Sequence, residues 1–274
     1  MNYIKKTYKD EVKRRKIRSH IIKSDSFDPY FIMRKHVSLQ KNASLIADKI
    51  YSKNFIKNKN IVSSAPIVWV SGEKLELEKL TDEFYWLKSN TGSGYNKKIC
   101  STYITEKLLK KYEKKWKKSL KFGLDNGQTH YNNVKYKIFL EKCIGHQSND
   151  FKIHLYNDNS YEVMVSRDRG LNTFSQTTYN SNYEIIPNLL EKNSSSINLA
   201  EKEIVKEMVK ISILIRKMFQ INKYARYDFY IKNKEIYFGE ITLIHYGGSI
   251  ILDKQEHSPA FIKRANEYIK KIKL

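Results

Sequence analysis

A chain of 274 residues with 41% hydrophobic and 13% aromatic side chains can bury a core and is not a disordered polymer. Its 51 Lys and Arg outnumber 29 Asp and Glu, for a formal charge of +22, which points either to an anionic partner or to a composition drifting towards Lys, Asn, Ile and Tyr. Cys100 and Cys143 cannot make a disulfide framework or a CxxC zinc site, and the polar start Met1-Asn2-Tyr3-Ile4-Lys5-Lys6 predicts neither a secretory signal nor a spanning helix; a cytoplasmic protein is expected.

Residues 1–24 carry Lys13-Arg14-Arg15-Lys16-Ile17-Arg18 beside Val12, Ile21 and Ile22. That suits a basic helix lying peripherally on the inner, anionic face of a membrane, or one packed on the body with a solvated basic side. Residues 25–70 mix short helical patterns with Pro29 and Pro66 and show no chemistry. Phe84–Lys88 reads as a short strand running into the turn-rich loop Ser89-Asn90-Thr91-Gly92-Ser93-Gly94.

A helix is predicted over 105–120, with Leu108, Tyr112, Trp116 and Leu120 on one side. Lys110, Lys111, Lys114, Lys115, Lys117 and Lys118 lie between them, a pattern usual for a solvated face. Residues 121–135 read as a polar loop and Lys137–Glu141 as a strand. Phe151–Tyr156 and Tyr161–Ser166 form a hairpin turned at Asn157-Asp158-Asn159. After the loop Asn193–Ser196, a helix near 199–220 presents Ile204, Met208, Ile211, Ile215 and Met218 as its stripe. A second hairpin joins Ala225–Ile231 to Glu235–Leu243. The order of elements lacks βαβ spacing and predicts an α+β protein.

The second hairpin holds the informative chemistry. Strand side chains alternate faces, so a turn centred on Lys234 opposes Asp228 to Glu240 and Arg226 to Thr242. Those four then share one face, while Ala225, Tyr227, Phe229, Gly239, Ile241 and Leu243 form an apolar one. Opposed carboxylates repel unless a cation or proton stands between them, and Mg2+ commonly takes one or two carboxylates plus substrate phosphates. A one-residue slip would separate the pair, and an Asp228 paired to Arg226 or another base would be a plain structural contact. Lys88 and the Ser89–Gly94 loop are suited to phosphate oxygens, although the P-loop order is absent and such a loop is more often a surface turn.

Taken in order, these stretches resemble the ATP-grasp superfamily, in particular its TupA-like branch, which is associated with polysaccharide and teichuronopeptide biosynthesis. The resemblance rests on Phe84–Gly94, on Phe139-Leu140-Glu141-Lys142-Cys143-Ile144-Gly145 and on Asp150-Phe151-Lys152-Ile153. It is completed by Arg226-Tyr227-Asp228-Phe229-Tyr230, Tyr237–Thr242 and Tyr246-Gly247-Gly248. It implies an ATP-grasp fold, two α+β lobes clasping ATP, with a divergent N-terminal region: 1–70, then a small lobe 71–145 and a large lobe 146–274.

The same resemblance implies the site. Lys88 would contact the α/β-phosphates under a loop of Gly92, Ser93 and Gly94. Glu141, Lys142 and Ile144 would belong to the strand whose backbone reads adenine, and Asp150 would suit the ribose hydroxyls. Asp228 and Glu240 would hold Mg2+, with Thr242 beside them where many ATP-grasp ligases carry Asn. Arg226 would steady the transferred phosphoryl group. Lys152, Arg167 and Arg169 are further cationic candidates. The implied reaction is ATP-dependent joining of a carboxylate and an amine through an acylphosphate. Its partners would be a uronic acid or amino sugar, small or lipid-linked, with no nucleic acid. An ATP-dependent sugar or small-molecule kinase of the same fold is the first alternative, and a non-catalytic nucleic-acid-binding protein the second.

Overall fold

The computed structural model describes residues 40–92, 94–124, 129–131, 133–144, 149–167, 175–186, 197–222 and 224–244, without the side chains of 119–124 and 129. The basic segment 1–24, Ser93, residues 145–148, Arg169, Asn193–Ser196 and Tyr246–Gly248 lie outside it.

The described chain opens with two short helices, α1 (Ala43–Ala47) and α2 (Lys49–Asn58). Asp48 separates them, and its carboxylate accepts from the N–H groups of Ile50 at 2.9 Å and Tyr51 at 3.3 Å. This N-cap satisfies donors that the first turn of α2 leaves open. Strands β1 (Ser63–Ser64) and β2 (Ile67–Val70) follow. Both fall within the stretch 1–70 expected as a divergent N-terminal region, and each is built into a sheet.

Strand β2 joins β3 (Phe84–Ser89), β4 (Asn96–Cys100) and β5 (Ile138–Lys142) in an antiparallel sheet of order β2-β5-β3-β4. Its covering helix, α3 (Glu106–Leu124), runs into the stretch expected to be loop. Leu109 and Trp116 are its buried anchors, packed with Tyr85, Leu87, Ile99 and Leu140.

The larger sheet has the order β1-β11-β10-β6-β7-β8-β9. Its strands are β6 (Asp150–Asn157), β7 (Ser160–Arg167), β8 (Ser175–Tyr179), β9 (Ile185–Ile186), β10 (Ala225–Lys232) and β11 (Glu235–Thr242). Strand β1 adds to β11 in parallel. Helix α4 (Leu199–Met218) starts at a capping box in which Asn198 and Glu201 bond each other's backbone N–H. Its buried side chains are Val205, Met208, Val209, Ser212, Ile215 and Arg216; Met208 and Ile215 are those of the expected stripe, while Ile204 and Ile211 sit at its border. Ser212 donates to the Met208 carbonyl at 2.7 Å, which lets a hydroxyl lie in that interface. The helix packs with Phe151, Ile153, Val163, Val165, Tyr227 and Phe229 in one core.

The pairing of β10 with β11 depends on an irregularity. The turn has two residues, Asn233 (φ 52) and Lys234 (φ 65), the left-handed geometry that matches the twist of a hairpin. It pairs Lys232 with Glu235, Ile231 with Ile236 and Phe229 with Phe238. Continued unchanged, that pairing would set Asp228 against Gly239 and send Glu240 to the other face. A bulge intervenes: the register shifts between Asp228 and Phe229, and the ladder resumes as Asp228 with Glu240, Tyr227 with Ile241 and Arg226 with Thr242. The opposition of carboxylates expected from a turn centred on Lys234 is therefore present, but an extra residue beside Phe238 creates it, not the turn. That residue is Gly239, where an added Cβ would lie 2.8 Å from the Tyr230 ring and 3.0 Å from the Asp228 carbonyl.

Because the second of those contacts is backbone, Gly239→Ala should destabilise the protein by about 1–3 kcal/mol. Urea unfolding that leaves the midpoint of the variant at the wild-type value would show that the bulge tolerates a side chain.

Candidate functional site

The face of the large sheet turned away from α4 is polar in successive rows. Across β11, β10 and β6, Glu240, Asp228 and Lys152 make one row, and Thr242, Arg226 and His154 the next. Glu162 of β7 extends the second row opposite His154. Asp150 and Tyr230 lie one step to the other side.

Arg226 is the cation between the two hairpin carboxylates. Its Nε donates to Asp228 Oδ1 at 2.6 Å and its Nη2 to Oδ2 at 2.7 Å, while Nη2 reaches Glu240 Oε1 at 3.3 Å. Thr242 Oγ1 donates to the same Glu240 oxygen at 3.4 Å. Burial works against the charge on Arg226, but Asp228 and Glu240 outweigh it and raise the guanidinium above its ordinary value. Lys152 bonds Asp150 and stands 3.6 Å from Asp228.

A second group of charges comes from the small sheet and α2. Glu141 of β5 is 2% exposed and takes Lys88 of β3 on one oxygen and Lys53 of α2 on the other. Burial alone would raise the Glu141 carboxyl; the two ammonium groups overcome it and hold the group below its ordinary value. Burial lowers Lys53, and Glu141 offsets this only in part.

Lys49 ties the two groups together. It donates to the Gly92 carbonyl at 2.6 Å and the Ser89 carbonyl at 3.5 Å, and pairs with Glu240 Oε2 at 3.3 Å. The Tyr131 phenol meets the Gly92 backbone and faces Glu240 and Arg226; burial first, then Glu240, pushes it upward. Tyr230 is raised by burial and by Asp150, Asp228, Glu240 and Glu141. In all, Lys49, Lys53, Lys88, Lys152 and Arg226 face Glu141, Asp150, Asp228 and Glu240, so the cluster carries one positive charge in excess.

Several expectations change on this geometry. The stretch 25–70 does carry chemistry, since Lys49 and Lys53 both enter the site. Their one signal in the sequence is Asp48, a capping residue, followed by two lysines four apart on one face of the helix it starts. The loop that such a sequence would more often make a surface turn is buried from Ser89 to Gly92. Asn90 pins it, donating to Asp48 and to the Lys135 carbonyl at 3.1 Å and accepting the Lys137 N–H at 2.9 Å. Gly92 (φ 75) and Gly94 (φ 80) adopt the left-handed backbone that favours glycine.

Glu141 contributes its side chain to the cluster. Lys142 turns outward to Asp82 at 2.8 Å, and its N–H already bonds the Pro66 carbonyl at 2.9 Å. Ile144 is half-buried just beyond the end of β5. Arg167 does not join the site: it clamps both oxygens of Glu201 at 2.8 Å and so steadies the start of α4. Among the described residues no three His, Cys, Asp or Glu side chains form a metal cage. The Asp228–Glu240 pair nonetheless offers hard oxygen donors on one face, which fits a magnesium ion that takes its other ligands from phosphates and water.

Comparison with known families matches residues 31–257 to the TupA-like ATP-grasp model. The chain belongs to the TupA-like ATP-grasp family, and its fold is the α+β ATP-grasp fold. No curated protein matches it. Among solved structures, the D-alanine–D-alanine ligase from Bacillus anthracis complexed with ATP is similar at 14% identity and a TM-score of 0.45, over 82% of this chain and 69% of that one. The Coxiella burnetii D-alanine–D-alanine ligase gives 13% and 0.46, over 83% and 57%. The VanG D-Ala:D-Ser ligase from Enterococcus faecalis gives 14% and 0.44, over 83% and 61%. Likenesses this remote add nothing to the family assignment.

The Lys53–Glu141–Lys88 contact makes a stability prediction. Glu141→Gln strands a buried ammonium and should cost about 3–5 kcal/mol, whereas Lys53→Met combined with Glu141→Gln should recover much of it. A carboxyl held low in the folded state stabilises above its unfolded value and loses that contribution as pH falls through the folded one. Wild-type unfolding free energy should therefore drop on acidification below 4.5, the ordinary value of this carboxyl. Glu141→Gln should show a shallower drop, and equal slopes in a urea series would contradict the pairing.

Proposed function

We propose that the protein is a carboxylate–amine ligase of bacterial surface polysaccharide biosynthesis, amidating a uronic acid or attaching an amino acid to a glycan, with Mg-ATP as its energy source. The observation that carries this reading is the opposition of Asp228 and Glu240 on one sheet face, with Arg226 between them and Lys49 reaching from Gly92 to Glu240. The small lobe is taken as 71–145 and the large lobe as 146–274, with α2 serving the site from outside both.

Each charged residue has a role on this reading. Lys88, Lys49 and Lys53 neutralise the phosphates, and Gly92, Ser93 and Gly94 bring backbone amides to them. The backbone from Glu141 to Ile144 lies along adenine, through carbonyls at Lys142 because its N–H is taken. Asp150 receives the ribose hydroxyls, and Lys152 stands between it and the phosphates. Asp228 and Glu240, with Thr242 beside them, hold the magnesium ion, which when bound neutralises phosphate charge. Arg226, released from the carboxylates, steadies the transferred phosphoryl group.

The acceptor carboxylate oxygen bonds to the γ-phosphorus as the bond to ADP breaks. The amine nitrogen then bonds to the acyl carbon, phosphate leaves, and the nitrogen gives up a proton. Positioning and charge account for both steps, so no protein nucleophile is required. The row beyond Arg226 flanks the acceptor: His154 Nδ1 lies 3.0 Å from the Tyr224 hydroxyl, and Tyr156 donates to Glu162 at 2.9 Å.

Incubation with ATP, candidate uronic acids and amino acids or ammonia should release phosphate only when acid and amine are both present. ADP formed with a neutral sugar alone would indicate a kinase instead. Asp228→Asn and Glu240→Gln should each lower ATP turnover by about a hundredfold or more while the protein stays folded; wild-type turnover in either would sink the mechanism. Lys88→Ala should shrink the thermal stabilisation given by Mg-ATP.

A further inference from the structure

Helix α3 buries Leu109 and Trp116, with the Trp116 ring 6.2 Å from Tyr95 and 5.2 Å from Tyr112. At about 100° per residue, Lys107, Lys110, Lys111, Lys114, Lys117 and Lys118 occupy roughly a third of the circumference on the opposite side, along about 16 Å of axis. All six are exposed. Glu106 and Glu113 fall at the border with the buried side, where Glu106 meets only Lys110, at 3.1 Å. The outer face is thus strongly cationic, with Lys110 alone of the six given an ion pair at its border, and the pairs Lys107–Lys111, Lys110–Lys114 and Lys114–Lys118 are like charges four apart, each of which weakens a helix.

Composition alone does not produce such a face. Helix α4 belongs to the same chain and exposes lysines too, but there Lys206 pairs with Glu203 at 2.6 Å and Lys210 with Glu207 at 3.4 Å. A lysine-rich chain that pairs the exposed Lys206 and Lys210 of one helix, yet compensates on the other face only Lys110, through Glu106, points to a partner for the second.

We infer that the lysine face of α3 is a docking surface for an anionic lipid bilayer. The face contains neither arginine, whose planar fork recognises individual phosphates, nor an aromatic ring on which a base could stack. Point charges spread along a straight helix suit the diffuse field of a headgroup plane instead. Tyr103, 73% exposed on the turn just before the helix, is the residue type that settles at headgroup level. No helix of the described residues is long and apolar enough to cross a membrane, so the contact would be peripheral. It stands independently of the ligase reading, although it would bring such an enzyme to a lipid-linked glycan.

Co-sedimentation of the full chain with vesicles tests it. The protein should bind vesicles containing about one-third phosphatidylglycerol in about 0.1 M salt, release them in about 0.5 M salt, and ignore pure phosphatidylcholine. Lys111→Gln with Lys114→Gln and Lys118→Gln should weaken binding on the order of a hundredfold. Lys206→Gln with Lys210→Gln on α4 should change it less than about twofold. Mg-ATP thermal stabilisation should be the same in wild type and the α3 variant, so that loss of docking and loss of nucleotide binding are read separately. The inference is overturned by absence of vesicle binding, by equal losses in the α3 and α4 variants, or by polyuridylate displacing the vesicles with higher affinity than the lipid.

Discussion

Two carboxylates opposed across neighbouring strands repel each other, and out of water that repulsion is poorly screened. Here Asp228 and Glu240 are opposed on a largely buried sheet face, and the arrangement stands because the Arg226 guanidinium lies against both. The surrounding charges are organised around the same demand. Lys152 approaches Asp228 from β6, and Lys49 approaches Glu240 from α2. Each cation also holds a second partner, Asp150 for Lys152 and the Gly92 carbonyl for Lys49. The hairpin, the central strand of the large sheet and the Gly-rich loop are thereby joined through one set of contacts.

That set depends on a single extra residue. With the pairing that the Asn233–Lys234 turn establishes, Glu240 would point into the apolar core, where an unpaired carboxylate is costly. The bulge turns Glu240 back to the polar face, and Gly239 permits it because the Tyr230 ring and the Asp228 carbonyl leave no room for a Cβ. Bulges of this kind recur beside active sites because they re-aim one side chain without disturbing the rest of a ladder. A sheet that needs alternation for its core and a broken alternation for its chemistry can satisfy both in this way.

Where the chain's chemistry coincides with a local pattern, it was legible in the sequence. Phe84–Lys88 is a run rich in aromatic residues, the 199–220 stretch repeats at helical spacing, and Arg226 with Asp228, like Glu240 with Thr242, could be counted onto one face of its strand, although the bulge was needed to bring the two pairs together. The rest was hidden for identifiable reasons. Lys49 and Lys53 sit at ordinary helical spacing in a lysine-rich chain, and only the tertiary approach of α2 to Gly92 and Glu141 distinguishes them from solvated surface. Strand β4, Asn-Lys-Lys-Ile-Cys, and strand β8, Ser-Gln-Thr-Thr-Tyr, lack the apolar alternation that identifies a strand. Strand β8 is nevertheless buried throughout, because its place in the sheet and not its hydrophobicity covers it. The last turn of α3, a Lys- and Gly-containing stretch, reads as loop in the sequence although it is helical.

The mutual satisfaction of these charges bears on how the proposed cofactors would enter. Phosphates arriving without a metal would draw Lys49 and Arg226 away and leave Asp228 and Glu240 facing new negative charge. A divalent ion arriving without phosphates would take Asp228 and Glu240 and leave Arg226 and Lys49 without partners beside it. Either half of the exchange strands buried charge, which is the expensive outcome. Only the joint arrival lets the cations pass to phosphate oxygens as the carboxylates pass to the metal, so that every group changes partner and none is left unpaired. The internal ion pairs seen here would thus favour the metal–nucleotide complex over either component, and Lys49, bonded at once to the Gly92 carbonyl and to Glu240, would couple the position of the loop to that exchange.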